Sequence, residues 1–100
     1  MSKTLFLISQ SPNRAENLKT VLKLITSEDV VCFIQDGVYF ANPPFVPENL
    51  YNDLSKMEGK GVKFYYLEPD LKARNISCDK EKVDYDRLLD LIEKYDNVFH

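Results

Sequence analysis

Residues 30–37 read Val-Val-Cys-Phe-Ile-Gln-Asp-Gly, and this stretch decides the fold class. Val30 to Ile34 are apolar without interruption and rich in β-branched and aromatic side chains. That is the composition of a central strand, buried on both faces, rather than of a strand with one wet side. Gln35-Asp36-Gly37 ends the run abruptly. Upstream, Thr4 to Ile8 (TLFLI) is a second short apolar run of the same kind. Between the two, Ser11 and Pro12 predict a helix start, with Ser as N-cap and Pro at the first helical position. Leu18, Val21, Leu22 and Ile25 then recur at the spacing of one buried helix face, and the helix is expected to end near Ser27.

Downstream, Pro43, Pro44 and Pro47 break any continuous helix across residues 38–54. A turn at Val38 to Ala41 and a short helix from Pro47 onward are expected instead. Gly59 and Gly61 punctuate the approach to a third strand, Val62 to Leu67 (VKFYYL). Glu68-Pro69-Asp70 opens a short helix running through Arg74, and Asn75 can supply the left-handed residue that closes it. The polar connection from Ile76 to Lys82 has room for a brief fourth strand. Asp84 caps a last helix with Tyr85, Leu88, Leu89, Ile92 and Tyr95 on one face, acids in its first turn and Lys94 in its last. Val98 and Phe99 read as a final edge strand.

Strands and helices alternate, which predicts a small three-layer α/β/α domain spanning residues 1–100. Its sheet is mostly parallel, with four or five strands and helices on both faces. In such sheets the functional surface lies at the carboxyl ends of the strands. Those ends are Ser9-Gln10-Ser11, Gln35-Asp36-Gly37 and Glu68-Pro69-Asp70. At 100 residues the chain is near the lower limit for a self-sufficient core of this type, so oligomerisation is expected.

Composition excludes several functional classes. The net charge is −3, with basic residues scattered rather than gathered. Direct binding to nucleic acid or to an anionic membrane needs a concentrated positive field, so any contact with tRNA would be indirect, through partners. No apolar run approaches the roughly 20 residues of a membrane span, and the start of the chain lacks a signal-peptide core, so a cytoplasmic protein is expected. Only three glycines occur, and none follows the first strand, which speaks against a phosphate-cradling loop. That strand is followed by Ser9-Gln10-Ser11 rather than an acidic pair, against a phosphoacceptor site. One histidine, His100, offers neither a zinc ligand set nor a well-placed general base. No metal and no cofactor is expected.

Two cysteines remain. Cys32, inside VVCFI, reads as a buried packing residue. Cys78, in the polar run Ile76-Ser77-Cys78-Asp79-Lys80, reads as exposed, with Lys80 favouring a thiolate and Asp79 opposing it, which makes it the candidate reactive thiol. Asp36 has two readings. It caps a short helix after the second strand while Gly37 relaxes the turn, or the Asp-Gly turn shapes a crevice or subunit contact. Tyr39, Phe40, Phe45 and Tyr51 cluster in the proline-containing segment, where an exposed aromatic patch would mark a protein interface. Gln35, Asp36, Gly37, Tyr39 and Phe40 are therefore the candidate binding or interface residues.

The segments LFLISQSPNR, VVCFIQDGVYFA, VKFYYLEPDLKARNIS and VDYDRLLDLIEKYDNV, in this order and spacing, resemble the DsrH/TusB family of small sulfur-relay subunits. The resemblance implies a DsrE-like α/β fold working in oligomers, with itself or with related DsrE/DsrF-like (TusC/TusD-like) subunits. Such assemblies pass persulfide sulfur for tRNA wobble 2-thiouridine synthesis or serve sulfur oxidation, and their principal sulfur-carrying cysteine lies in another subunit. Some members of the family carry a cysteine in the first helix, where this chain has Val21, so a persulfide shuttle through that position is excluded. The family usually has glycine where Asn75 stands, and the segment from Pro43 to Pro47 looks longer than is usual for it. The expectation is an accessory subunit without independent activity. The alternatives are a sulfurtransferase using Cys78 as persulfide carrier, or a stand-alone small-molecule-binding domain.

Overall fold

The structure, a computed structural model, describes residues 3–14 and 18–100. Five strands form one sheet: β1 (Thr4–Ile8), β2 (Val30–Phe33), β3 (Lys63–Leu67), β4 (Lys82–Val83) and β5 (Asn97–Phe99). Their order across the sheet is β4-β3-β2-β1-β5. Every pairing is parallel, with Phe6 beside Val31, Val31 beside Phe64, Leu67 beside Val83 and Phe6 beside Phe99. The two apolar runs thus lie in the interior of the sheet, and the two shortest strands form its edges, as their weaker apolar character predicts.

Period-two alternation sorts the strand side chains onto two faces. Phe6, Ile8, Val31, Phe33, Phe64 and Tyr66 point to one core. Leu5, Val30, Cys32, Tyr65 and Leu67 point to the other. The first core is covered by α1 (Leu18–Leu22), by a 3₁₀ segment Gln35–Ala41, by α2 (Glu48–Gly59) and by Leu71 of α3 (Glu68–Ala73). The second is covered by α4 (Tyr85–Lys94) through Leu88 and Leu91. Phe33 is fully buried at the centre of the first core, with Tyr66 stacked on it at 4.8 Å and Phe40 at 5.0 Å between ring centroids. Removing one such side chain from water contributes about 1.5–3 kcal/mol.

Several local expectations shift. Pro12 to Arg14 form a turn, closed by the Arg14 N–H donating to the Ser11 carbonyl at 3.0 Å, rather than a first helical turn. The remainder of that expected helix start, residues 15–17, lies outside the described residues. The helix ends at Leu22, before Ser27, because buried Asp29 captures the chain beyond it. Its carboxylate accepts from the Thr26 N–H at 2.8 Å and from the Thr4 N–H at 2.9 Å, offering the backbone an alternative to helix.

On α4 the Asp84 cap is present, its carboxylate accepting from the Arg87 N–H at 2.8 Å. The buried stripe runs through Leu88 and Leu91, with Ile92 and Tyr95 partly covered, while Tyr85 and Leu89 are exposed at 57% and 58%. Leu89 lies one residue, and so about 100°, beyond Leu88, and a flat sheet cannot reach round that far. The 3₁₀ helix Pro43–Phe45 precedes α2, and Asn75 takes the left-handed conformation with φ 53°. Among the described residues no helix is long and apolar enough to cross a membrane.

Candidate functional site

At the carboxyl end of β2 the chain turns through Gln35, whose φ of 50° is left-handed. A side chain larger than glycine is strained there and needs outside support. Asp70 at the start of α3 supplies it, one carboxylate oxygen accepting from the Gln35 N–H at 2.6 Å. Arg74, one turn further along, donates to the Asp70 carbonyl at 3.1 Å and pairs with its carboxylate at 3.7 Å. The same guanidinium reaches across to Asp36, with Nε and its second nitrogen 3.1 and 3.0 Å from one oxygen. Asp36 therefore does not cap the helix. The cap position is Ile34, and Asp36 is instead one arm of an ion-pair network that clamps the 3₁₀ segment onto α3.

Gly37 is needed for closeness rather than for a relaxed turn. A Cβ there would collide with the Ile8 carbonyl at the end of β1. Gln35 and Asp36 are exposed and Gly37 is buried. The expected aromatic patch divides. Phe40 is core, 6% exposed, and Tyr39 is half-buried edge-on to Phe45 at 5.4 Å, while Phe45 and Tyr51 are the exposed members at 49% and 46%. Hence Gln35, Asp36, Phe45 and Tyr51 present surface, and Gly37 and Phe40 position them.

Cys78 lies in a groove of about 680 Å³ between the segment around Phe40 to Pro43, α2, β3 and the loop before β4. It is half-buried rather than exposed, and it packs against the first core. The Lys80 ammonium is held by both oxygens of Glu58 at 3.2 Å and exerts the weakest of the pulls on the thiol. Lys82 donates to the Cys78 carbonyl at 2.8 Å. Burial pushes the Cys78 thiol up, and Asp79 adds to this, while the Lys80 backbone and the Lys82 and Lys80 ammonium groups oppose it. Cys32 is sealed in the second core, and desolvation, aided by the Asp70 charge, pushes its thiol up to about 12. Both thiols are protonated at neutral pH.

Arg74 and Tyr66 are not among the residues that the sequence singles out as candidate site residues. The signal for Arg74 was its i,i+4 spacing from Asp70. For Tyr66 it was alternation with Phe64, which places both on the groove side of β3.

A model of the family described as DsrH like protein matches residues 10–98. The chain belongs to the DsrH-like family. Over 95 residues it is 33% identical to Protein TusB of Yersinia enterocolitica, covering 91% of this chain and 93% of that protein. Its fold is shared with the ychN protein from E. coli, with a TM-score of 0.81 over 99% of this chain and 98% of that one at 18% identity. Protein Tm0979 of Thermotoga maritima also shares it, with a TM-score of 0.62 over 91% and 92% of the two chains at 23% identity. In this DsrH-like chain Val21 packs, partly buried, against the first core.

Proposed function

We propose that this DsrH-like chain is an accessory subunit of a cytoplasmic sulfur-relay complex, acting by assembly and docking with related DsrE- and DsrF-like subunits. The relay it serves delivers persulfide sulfur to tRNA wobble 2-thiouridine synthesis or to sulfur oxidation. The observation that carries this reading is family membership along nearly the whole chain, residues 10–98. Two structural features support a docking role over a carrier role. Neither thiol has the depressed pKa of a sulfur nucleophile. The exposed Gln35 and Asp36, held by Asp70 and Arg74, form a rigid and preorganised contact surface.

The test is purification from the native host under mild conditions, with mass measured by light scattering and partners identified by mass spectrometry. Copurification of related subunits, reduced by a Gln35→Ala/Asp36→Ala double variant, is the expected result. Migration as a lone monomer would overturn it. Incubation with a cysteine desulfurase and ³⁵S-cysteine distinguishes docking from carriage. Label on the chain that disappears in Cys78→Ser would reassign it as a sulfurtransferase.

A further inference from the structure

The groove beside Cys78 has features that assembly does not require. Its volume of about 680 Å³ lies within the range of small-molecule sites. Phe40, Phe64, Tyr66 and Tyr51 give it aromatic walls. Tyr66 is only 5% exposed, yet its hydroxyl has no hydrogen-bond partner among the described residues, and its oxygen is not sealed in protein. The hydroxyl therefore opens onto the groove, in the neighbourhood of Cys78, Glu58 and Asp79, which line it as well. Open to solvent and without a protein partner, this hydroxyl is free to donate to a ligand acceptor in place of water.

Charge narrows the ligand class. Glu58 and Lys80 neutralise each other across the mouth, and Lys82, 2.8 Å from the Cys78 carbonyl, offsets Asp79. The lining thus favours neither sign of charge, and flat rings suit aromatic walls. We propose that this groove binds an uncharged planar heteroaromatic molecule, stacked among the aromatic walls with an in-plane acceptor on the Tyr66 hydroxyl. The site is separate from the Gln35–Asp36 surface and does not depend on the sulfur-relay reading.

The full-length protein would be titrated with benzimidazole, with indole (equally flat but lacking an in-plane acceptor), with benzoate and with benzamidinium. Binding would be read by calorimetry and by protection of Cys78 from iodoacetamide. Benzimidazole is expected to bind with a Kd of about 1 mM, a fragment-level affinity, and to slow Cys78 alkylation. Indole, benzoate and benzamidinium should each bind at least about fivefold more weakly, as should benzimidazole to Tyr66→Phe. Ser77→Trp, placed on the exposed lip of the groove, should abolish binding without touching the core. Absence of benzimidazole binding, equal affinity for benzoate or benzamidinium, or binding unchanged by Tyr66→Phe and Ser77→Trp would overturn the assignment.

Discussion

Gly37 sits where the 3₁₀ segment crosses the end of β1, with its α-carbon pressed toward the Ile8 carbonyl. The groups that would have to yield are backbone, and β1 is interior to the sheet. Gly37→Ala should therefore cost about 2–3 kcal/mol in urea denaturation, the upper range for overpacking. A loss below about 0.5 kcal/mol would mean that the segment can lift away freely. The neighbouring ion pairs should differ in weight. Asp70 holds the N–H of a left-handed residue and is mostly covered, whereas the Asp36 side chain is 60% exposed. Asp70→Ala should cost about 1.5–3 kcal/mol and Asp36→Ala about 0.2–1 kcal/mol. Equal losses would show that the network acts through Arg74 alone.

Among the elements, α4 covers the second core, and Asp84 starts it. Asp84→Ala should lower stability by about 1 kcal/mol, and Asp84→Asn by much less, since an amide oxygen can still accept from the Arg87 N–H. Thermal melts of the two variants check this, and a larger loss in Asp84→Asn would point to charge rather than capping. The helix also shows where periodicity misleads. Tyr85 and Leu89 match a 3–4 spacing with Leu88 and Ile92, yet the sheet accepts only the narrower stripe centred on Leu88 and Leu91. Leu89 and Tyr85, with Val98 and Phe99 on the edge strand, are left exposed.

For the molecule as a whole, the buried thiol and phenols set the alkaline limit. Cys32 is held up to about 12, first by burial and then by Asp70, while an unfolded cysteine titrates near about 8.5. Between these values the unfolded chain has lost its proton and the native chain has not. Stability is thus fully present below about pH 8.5 and declines as pH rises, by up to about 1.4 kcal/mol per pH unit for this group. Tyr66 and Tyr95, both raised chiefly by burial, steepen the decline above about pH 10. Urea midpoints from pH 7 to 11 should show this fall, and Cys32→Ala should make it shallower. An unchanged slope in Cys32→Ala would place the titration elsewhere.

The sequence by itself determined the sheet. Uninterrupted apolar runs at Thr4 to Ile8 and Val30 to Ile34 left no wet face, so parallel strands covered by helices followed from hydrophobicity alone, and Asp84 and Asn75 marked helix ends through local geometry. Only the tertiary structure decided the candidate sites. The Asp36–Arg74 pair joins residues 38 positions apart, and the left-handed φ falls on Gln35 rather than Gly37 because Asp70 arrives from another element to stabilise it. Cys78 looked exposed in its polar run but packs against the first core beside Tyr66, whose open hydroxyl no local pattern announces. Periodicity reports which side of an element meets the core, whereas charge pairing, thiol desolvation and an unfilled groove arise only where separate elements meet.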